Sequence, residues 1–151
     1  MRPQPLSKLL ESILLQTTLA NEVLIIDGST DNETELLLQD RPEFRIQSSE
    51  LDSSSLHSSS SSSLRYFKAP AAHRGLTKQR NYGIERVGKE MEVVAFLDDD
   101  TVLEKEYVEN LLAAYKSLPD ASGIGGVATN ENRWKLKEDK NYDPNYFYVF
   151  K

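Results

Sequence analysis

Two short apolar runs constrain the fold of this chain more than any other feature of its sequence. Residues 23–26 (VLII) and 93–97 (VVAFL) are continuously apolar rather than alternating, which is typical of strands buried on both faces of a parallel sheet. Each run is followed directly by aspartate: Asp27 opens the segment DGSTD, and residues 98–100 are three aspartates in succession. The sequence therefore predicts two core strands whose carboxyl ends carry acidic side chains.

Helical and further extended patterns surround these runs. Apolar residues at helical spacing predict four helices, over residues 6–14, from about residue 33, over 77–87 and over 107–115. Shorter extended patterns predict strands at residues 44–47, 64–68 and 124–129. Strands that alternate with helices indicate an α/β fold, an open and mostly parallel sheet with helices on both faces.

The length of 151 residues suits one domain with a substantial core, so a single domain is predicted over residues 1–151. Within it, residues 48–63 are dominated by serine. Such a segment buries too little apolar surface to offset the entropy lost on ordering, and we expect a disordered surface loop.

Composition excludes several classes of function. The net charge of -6 argues against nucleic-acid binding, which depends on clustered Lys and Arg. The absence of cysteine excludes thiolate metal sites and a cysteine nucleophile. No apolar run is long enough to predict a transmembrane segment, and no signal-peptide pattern is present. We expect a folded soluble domain in the cytoplasm, including the surface of its membrane.

The three aspartates at 98–100 are the strongest candidate for a chemical site. Carboxylates packed beside an apolar run repel one another and are costly to keep ionised, and a hard cation removes both problems. Mg²⁺ or Mn²⁺ commonly shares its ligands between one or two carboxylates and substrate phosphates, which suits Asp98 and Asp100. The alternative is purely structural: the aspartates begin a loop and cap a helix that starts near Glu104.

Two other segments have both a structural and a functional interpretation. Residues 27–31 have the composition of a strand-to-helix turn, but Asp27 could also accept a hydrogen bond from a nucleotide base or ribose. His73, Arg74, Lys78 and Arg80 gather positive charge that a diphosphate could use. Their alternative role is a solvated helix face.

Three segments taken together resemble, in order and spacing, the family 2 glycosyltransferases of the GT-A fold. They are residues 23–31 (VLIIDGSTD), 74–84 (RGLTKQRNYGI) and 93–100 (VVAFLDDD). The resemblance implies transfer of a sugar, with inversion, from a UDP- or GDP-linked donor to an unknown sugar, lipid or protein acceptor. It also implies Mn²⁺ or Mg²⁺, which stabilises the departing diphosphate.

The resemblance assigns a role to each matching residue. Asp27 matches the acidic residue that contacts the base, and Arg80 with Asn81 matches the Arg-Asn pair beside the donor. Asp98 and Asp100 match the outer positions of the DxD motif, with Asp98 towards the ribose or sugar and Asp100 on the metal. Asp99 is expected to shape the turn.

Two departures from the family pattern define a further expectation. Members begin with an apolar strand that helps to hold the base, whereas here Met1 and Arg2 lead directly to the first helix. Members also carry a general base well beyond the DxD motif, and Glu138, Asp139 and Asp143 lie too early for that role. The catalytic base is therefore unknown. We expect the donor-binding half of a longer enzyme, or a truncated gene product, with an incomplete GT-A fold that lacks the first strand and the C-terminal acceptor half.

Three alternatives remain open. One is a fragment that binds a nucleotide sugar without transferring it. Another is a phospho-accepting receiver domain, which is disfavoured because the aspartates are consecutive and no lysine directly follows residues 124–129. The last is a P-loop ATPase, which is disfavoured because the glycine-rich Lys-Ser/Thr phosphate loop is missing.

Overall fold

The computed structural model describes residues 3–41 and 63–128, together with the backbone of 148–150. The chain divides into two compact units. Unit 1 contains residues 1–15 and 19–103, and unit 2 contains residues 16–18 and 104–151.

A parallel pair of strands is the centre of unit 1. Strand β1 (Glu22–Asp27) pairs with β2 (Ser63–Lys68), with Glu22 opposite Ser63 and Asp27 opposite Lys68. The α/β class with a parallel sheet is therefore confirmed. The predicted strand at 64–68 is confirmed as well and begins one residue earlier, at Ser63, which had been placed in the serine-rich loop.

Side chains alternate across the two strands and thereby separate two environments. One face carries Ile25, Asp27 and Leu64, all buried, and continues with Tyr66 and Lys68. The other face carries Ile26, Arg65 and Phe67. Only Ile25 and Asp27 of β1 are fully buried, so the expectation that residues 23–26 are buried on both faces is wrong.

Two helices supply the apolar core of unit 1. Helix α1 (Pro3–Leu14) buries one stripe, as predicted, and its prolines lie in the first turn, where a missing amide costs no hydrogen bond. Helix α2 (Glu33–Gln39) packs on α1 and buries Leu38. Arg41 joins the two, because its guanidinium lies 3.0 Å from Glu11 and donates to the hydroxyl of Ser7 over 2.7 Å.

Helix α3 (Leu76–Ile84) packs against β1 and follows a single 3-10 turn at Ala71–His73. Its N-cap is Gly75, whose φ of 109° and ψ of 148° are accessible only to glycine without strain. The helix ends three residues before the predicted residue 87, and Gly88 is not its terminating glycine. Instead, the amide of Gly88 donates to the carboxylate of Glu22 over 3.1 Å.

The predicted core strand at residues 93–97 is not formed. Within the described residues this segment belongs to no strand or helix, and Val94 and Phe96 are 42% and 48% exposed. A strand exists only where a neighbour completes its backbone hydrogen bonds, and in the described part of the chain β1 pairs with β2 alone. The apolar run indicated a tendency to be buried but not the presence of a neighbour.

Unit 2 contains helix α4 (Tyr107–Ser117), which confirms the predicted fourth helix. This helix buries Leu111. The unit's short strand β3 (Gly123–Gly125) pairs antiparallel with β4 (Tyr148–Phe150). Of the predicted strand at 124–129, only residues 124 and 125 are in a strand within the described range that ends at residue 128, and they pair in a separate antiparallel sheet. The side-chain amide of Gln16 stabilises the start of α4. Its Nε2 donates to the carbonyl oxygen of Glu104, and its Oε1 accepts from the backbone amide of Val108.

Several predictions fall outside the described residues. They are the strand at 44–47, the serine-rich loop over 48–62, and the acidic residues Glu138, Asp139 and Asp143. Among the helices that are described, none combines the length and the apolar character needed to cross a membrane.

Candidate functional site

Asp27, the last residue of β1, is fully buried and ionically paired. One carboxylate oxygen, Oδ1, accepts a hydrogen bond from the amide of Ser29 over 2.8 Å. The other, Oδ2, accepts from the hydroxyl of Tyr66 over 2.9 Å and from the ammonium of Lys68 over 3.1 Å. Both partners on β2 lie on the same face as Asp27 because their positions alternate along the strand.

These contacts keep Asp27 ionised. Burial on its own raises the pKa of the carboxyl, but hydrogen bonds from Ser29, Tyr66 and Lys68 outweigh it and hold the pKa below its ordinary value. The pKa of Tyr66 is raised well above its ordinary value, first by burial and then by the hydrogen bond to Asp27 and the charge of that carboxylate. Tyr66 therefore acts as a neutral donor and Asp27 as a charged acceptor.

Lys68 fastens the turn that follows β1. Besides Asp27, its ammonium donates to the hydroxyl of Ser29 over 3.3 Å and to the carbonyl oxygen of Asp31. An ammonium has three hydrogens, so these partners account for all of them. The Asp31 carboxylate in turn accepts from the amide of Glu33 at the start of α2 over 3.2 Å. The turn over residues 27–31 is thus held at both ends.

The basic segment on α3 meets this turn through Gln79. Its side-chain amide donates to the carbonyl oxygen of Ile26 over 3.1 Å. Close packing accompanies the hydrogen bond, since a Cβ added at Gly28 would lie 2.7 Å from the Gln79 side chain. At Gly83, one turn further along α3, a Cβ would lie 3.2 Å from Ile26. The motif at 74–84 therefore contacts the motif at 23–31 directly.

Arg80 connects the same helix with the three aspartates. Its guanidinium lies 3.3 Å from Oδ1 of Asp98 and 5.5 Å from the centre of the Phe96 ring. The carbonyl oxygen of Asp98 accepts a hydrogen bond from the amide of Thr101 over 3.1 Å. Asp99 and Asp100 accordingly occupy the two central positions of a turn, and the structure brings Arg80 and Asp98 together at an exposed site.

The remaining predicted residues lie on α3 or just before it. Asn81, Arg74 and Lys78 are exposed, and His73 is half-buried with its ring 4.9 Å from the ring of Tyr82. The guanidinium of Arg86 stacks on the same tyrosine, 3.3 Å from the centre of the Tyr82 ring. His73 thus has a packing role, whereas Arg74, Lys78 and Arg80 present positive charge to solvent.

The donor set fits a hard cation that shares its ligands with a substrate. Asp98 and Asp100 are exposed carboxylates, and Mg²⁺ commonly takes one or two such groups plus phosphate and water. Among residues 3–41 and 63–128, no three His, Cys, Asp or Glu side chains converge on one point suited to a metal. A cation at this turn would therefore need further ligands, such as phosphate oxygens or water.

Comparison with known proteins identifies the class. The family described as "Glycosyl transferase family 2" matches residues 1–150, so the chain belongs to glycosyl transferase family 2. The predicted family is thereby confirmed.

The chain is 24% identical over 148 residues to a glucosyl-dolichyl phosphate glucuronosyltransferase of Haloferax volcanii. The aligned region covers 98% of this chain and 40% of that relative. The chain thus spans less than half the length of that relative. No solved structure matches this chain.

Three residues of the site were missed by sequence reasoning: Tyr66, Lys68 and Gln79. For the first two a signal was available, because polar residues at alternating positions near the end of a strand share a face with an acidic neighbour. Gln79 gave no such signal. Its role depends on the close approach of α3 to Gly28, which no local pattern indicates.

Proposed function

We propose that this chain is the donor-binding part of an inverting, metal-dependent glycosyltransferase. Its donor is a UDP- or GDP-linked sugar, and Mn²⁺ or Mg²⁺ holds the diphosphate. The proposal combines the family membership with the residues at the ends of β1, α3 and the 98–100 turn.

The contact between Arg80 and Asp98 carries the proposal. It joins two of the three motifs through a cation and a carboxylate that are both exposed, at 42% and 64% of their side chains. An exposed ion pair contributes little to stability. A contribution to folding therefore does not account for the pairing of Arg80 with Asp98. A bound nucleotide sugar offers each partner another contact: the phosphates attract Arg80, and hydroxyls of the ribose or sugar donate to Asp98.

The charges on either side of this pair suggest how a donor is oriented. The turn after β1 contains Asp27 and Asp31 and leads into the first turn of α2, which carries Glu33 and Glu35; this acidic segment suits the N–H and O–H donors of a base or ribose. The start of α3 is basic and suits the diphosphate. In this proposal Asp98 faces the ribose or sugar, Asp100 binds the metal, and Arg80 with Asn81 lies beside the donor.

The metal supplies charge stabilisation for the departing diphosphate. The residues of the chain bind and orient the donor. Direct contact of Asp27 with the base stays a prediction, since both of its oxygens accept hydrogen bonds from the chain itself. A general base is not assigned.

The acceptor is proposed by analogy with the relative, whose name specifies a glucosyl-dolichyl phosphate. A lipid-linked sugar phosphate is therefore the first acceptor to test, followed by free sugars and peptides.

Calorimetry with UDP and GDP, each with Mn²⁺ and with a chelator, tests the donor site. We expect one nucleotide to bind in Mn²⁺ and to lose most of its affinity in chelator. Equal affinity in both conditions would contradict metal-dependent binding, and no binding of either nucleotide would contradict the donor site itself. Incubation with nucleotide sugars and the acceptor panel then separates transfer from binding without transfer.

A further inference from the structure

The side chain of Gln79 links the start of α3 to the end of β1. Its Oε1 accepts a hydrogen bond from the amide of Gly75 over 3.1 Å, and its Nε2 donates to the carbonyl oxygen of Ile26 over 3.1 Å. Its backbone amide donates to the carbonyl oxygen of Gly75 over 2.8 Å. Gln79 and Gly75 thus bond reciprocally, much as in a capping box, while the same side chain reaches across to β1.

We propose that Gln79 is a positioning residue of the donor site. Its carboxamide fixes the acidic turn at 27–31 relative to Arg80. Ile26, which accepts from Gln79, immediately precedes Asp27, and Arg80 immediately follows Gln79 along α3. A displacement of this one amide would therefore change the spacing between the base-binding and diphosphate-binding parts of the site. The inference rests on the proposed function, because the spacing matters only if one donor spans both parts.

The geometry requires an uncharged amide at this position. The oxygen and the nitrogen have different partners, an N–H of Gly75 and a C=O of Ile26, so a group with only acceptors or only donors cannot serve both. A glutamate would place an oxygen against the Ile26 carbonyl oxygen. An apolar side chain would leave both backbone groups without this partner, which is costly in proportion to their burial.

Gly28 is the second half of the arrangement. A Cβ there would meet Cδ and Oε1 of Gln79 at 2.7 Å and Nε2 at 2.9 Å. The end of a flexible side chain normally yields to such a clash, but here yielding would break the bonds to Gly75 and Ile26. Gly75 is the positive-φ glycine of the described residues, so Gly28 is needed for space rather than for an unusual backbone conformation.

The test compares Gln79→Met, Gly28→Ala, Gln79→Ala and the double variant Gly28→Ala/Gln79→Ala with the native chain. The first readout is hydrogen exchange at the Gly75 amide without any ligand. The second is the affinity for UDP and GDP in Mn²⁺ by calorimetry. We expect Gln79→Met to exchange faster at Gly75 and to bind nucleotide about tenfold more weakly, since two hydrogen bonds are lost.

Gly28→Ala should weaken nucleotide binding in the native background and have little further effect once Gln79 is alanine. Such non-additivity is the mark of direct coupling. Additive effects, or native affinity in Gln79→Met, would overturn the inference. If the native chain binds neither nucleotide, the proposed function fails first and the inference with it. Native binding with normal Gln79→Met affinity refutes the inference alone.

Gln79→Glu adds a second readout, the pH dependence of nucleotide affinity, which a loss of packing would not change. The same variant tests the inference if Gln79→Met does not fold. Below the pKa of the introduced carboxyl, the protonated group can again donate to Ile26. We therefore expect its nucleotide affinity, relative to that of the native chain, to improve between about pH 7 and pH 4, as a carboxyl with an ordinary pKa of about 4.3 becomes protonated. A ratio that stays constant with pH would contradict the proposed bond to Ile26.

Discussion

The guanidinium of Arg80 contacts two neighbours from one short segment: the carboxylate of Asp98 at 3.3 Å and the ring of Phe96, whose centre is 5.5 Å away. Phe96 and Asp98 are two positions apart, and both are substantially exposed. The aromatic ring limits where the cation can move, and the carboxylate sets where its charge is directed. Arg80 is thus held in place without being buried.

Replacing Arg80 with alanine is expected to reduce nucleotide affinity while leaving the fold intact. An exposed ion pair contributes about 0–1 kcal/mol to stability, whereas a charge-assisted bond to phosphate accounts for about tenfold or more in affinity. Calorimetry in Mn²⁺ and thermal unfolding measure the two effects. Lys89→Ala, which removes an exposed cation outside the three motifs, is the matched control. A similar loss of affinity in both variants would indicate general electrostatics instead.

Asp100→Ala should weaken the metal dependence of nucleotide binding, and Asp99→Ala should preserve it. The two residues are adjacent in one turn, so the pair controls for charge and for backbone effects. Titration of Mn²⁺ at a fixed UDP or GDP concentration is the measurement. We expect the affinity gained from Mn²⁺ to fall by about tenfold in Asp100→Ala. If Asp99→Ala loses as much, the assignment of the metal ligand to Asp100 is wrong.

Asp27→Asn should make the protein less stable at neutral pH and its stability less sensitive to acid. The folded pKa of Asp27 lies below the ordinary 3.8, so the ionised carboxyl stabilises the fold above about pH 4. That contribution is lost as the pH falls through the folded pKa.

Denaturant unfolding from pH 7 to pH 2 measures this effect. We expect Asp27→Asn to cost about 2 kcal/mol at pH 7, since removing one partner of a buried ion pair is destabilising and Lys68 is partly solvated. Asp40→Asn, an exposed change, is the control. Parallel pH curves for the native chain and Asp27→Asn would contradict the buried ion pair.

Gly75→Ala should destabilise the start of α3, because its φ of 109° is strained for any residue with a Cβ. The expected cost is about 1–3 kcal/mol, measured by chemical unfolding. No atom lies within 4 Å of a Cβ at Gly75, so a loss here reports backbone strain and not a clash. Gly123→Ala is the control, because its Cβ also meets no atom within 4 Å and its φ is ordinary.

Helices and the parallel pair were largely predictable because their signals are local. The stripe that includes Leu6 and Leu10 specified α1, and the apolar run at 23–26 specified β1. Residues 93–97 gave an equally strong signal and yet form no strand in the described structure. Pairing depends on a second segment, and one segment's composition carries no information about it.

The site was predictable as a set of residue types but not as a set of contacts. Family resemblance selected Asp27, Arg80 and Asp98, and the structure pairs the last two. The resemblance could not indicate that Tyr66 and Lys68 would cover Asp27, because this contact depends on the register between β1 and β2. Register is set by tertiary packing rather than by either strand.

The parallel pairing of β1 with β2 also determines the order in which the site can form during synthesis. Asp27 and Lys68 are 41 positions apart, and parallel strands cannot be joined by a tight hairpin. While the ribosome is still adding the intervening residues, Asp27 has no counter-ion and no second strand beside it. The carboxylate is thus hydrated at first and loses its water only when β2 arrives. A nascent chain halted before Lys68 would carry a complete first motif that cannot yet adopt its buried form.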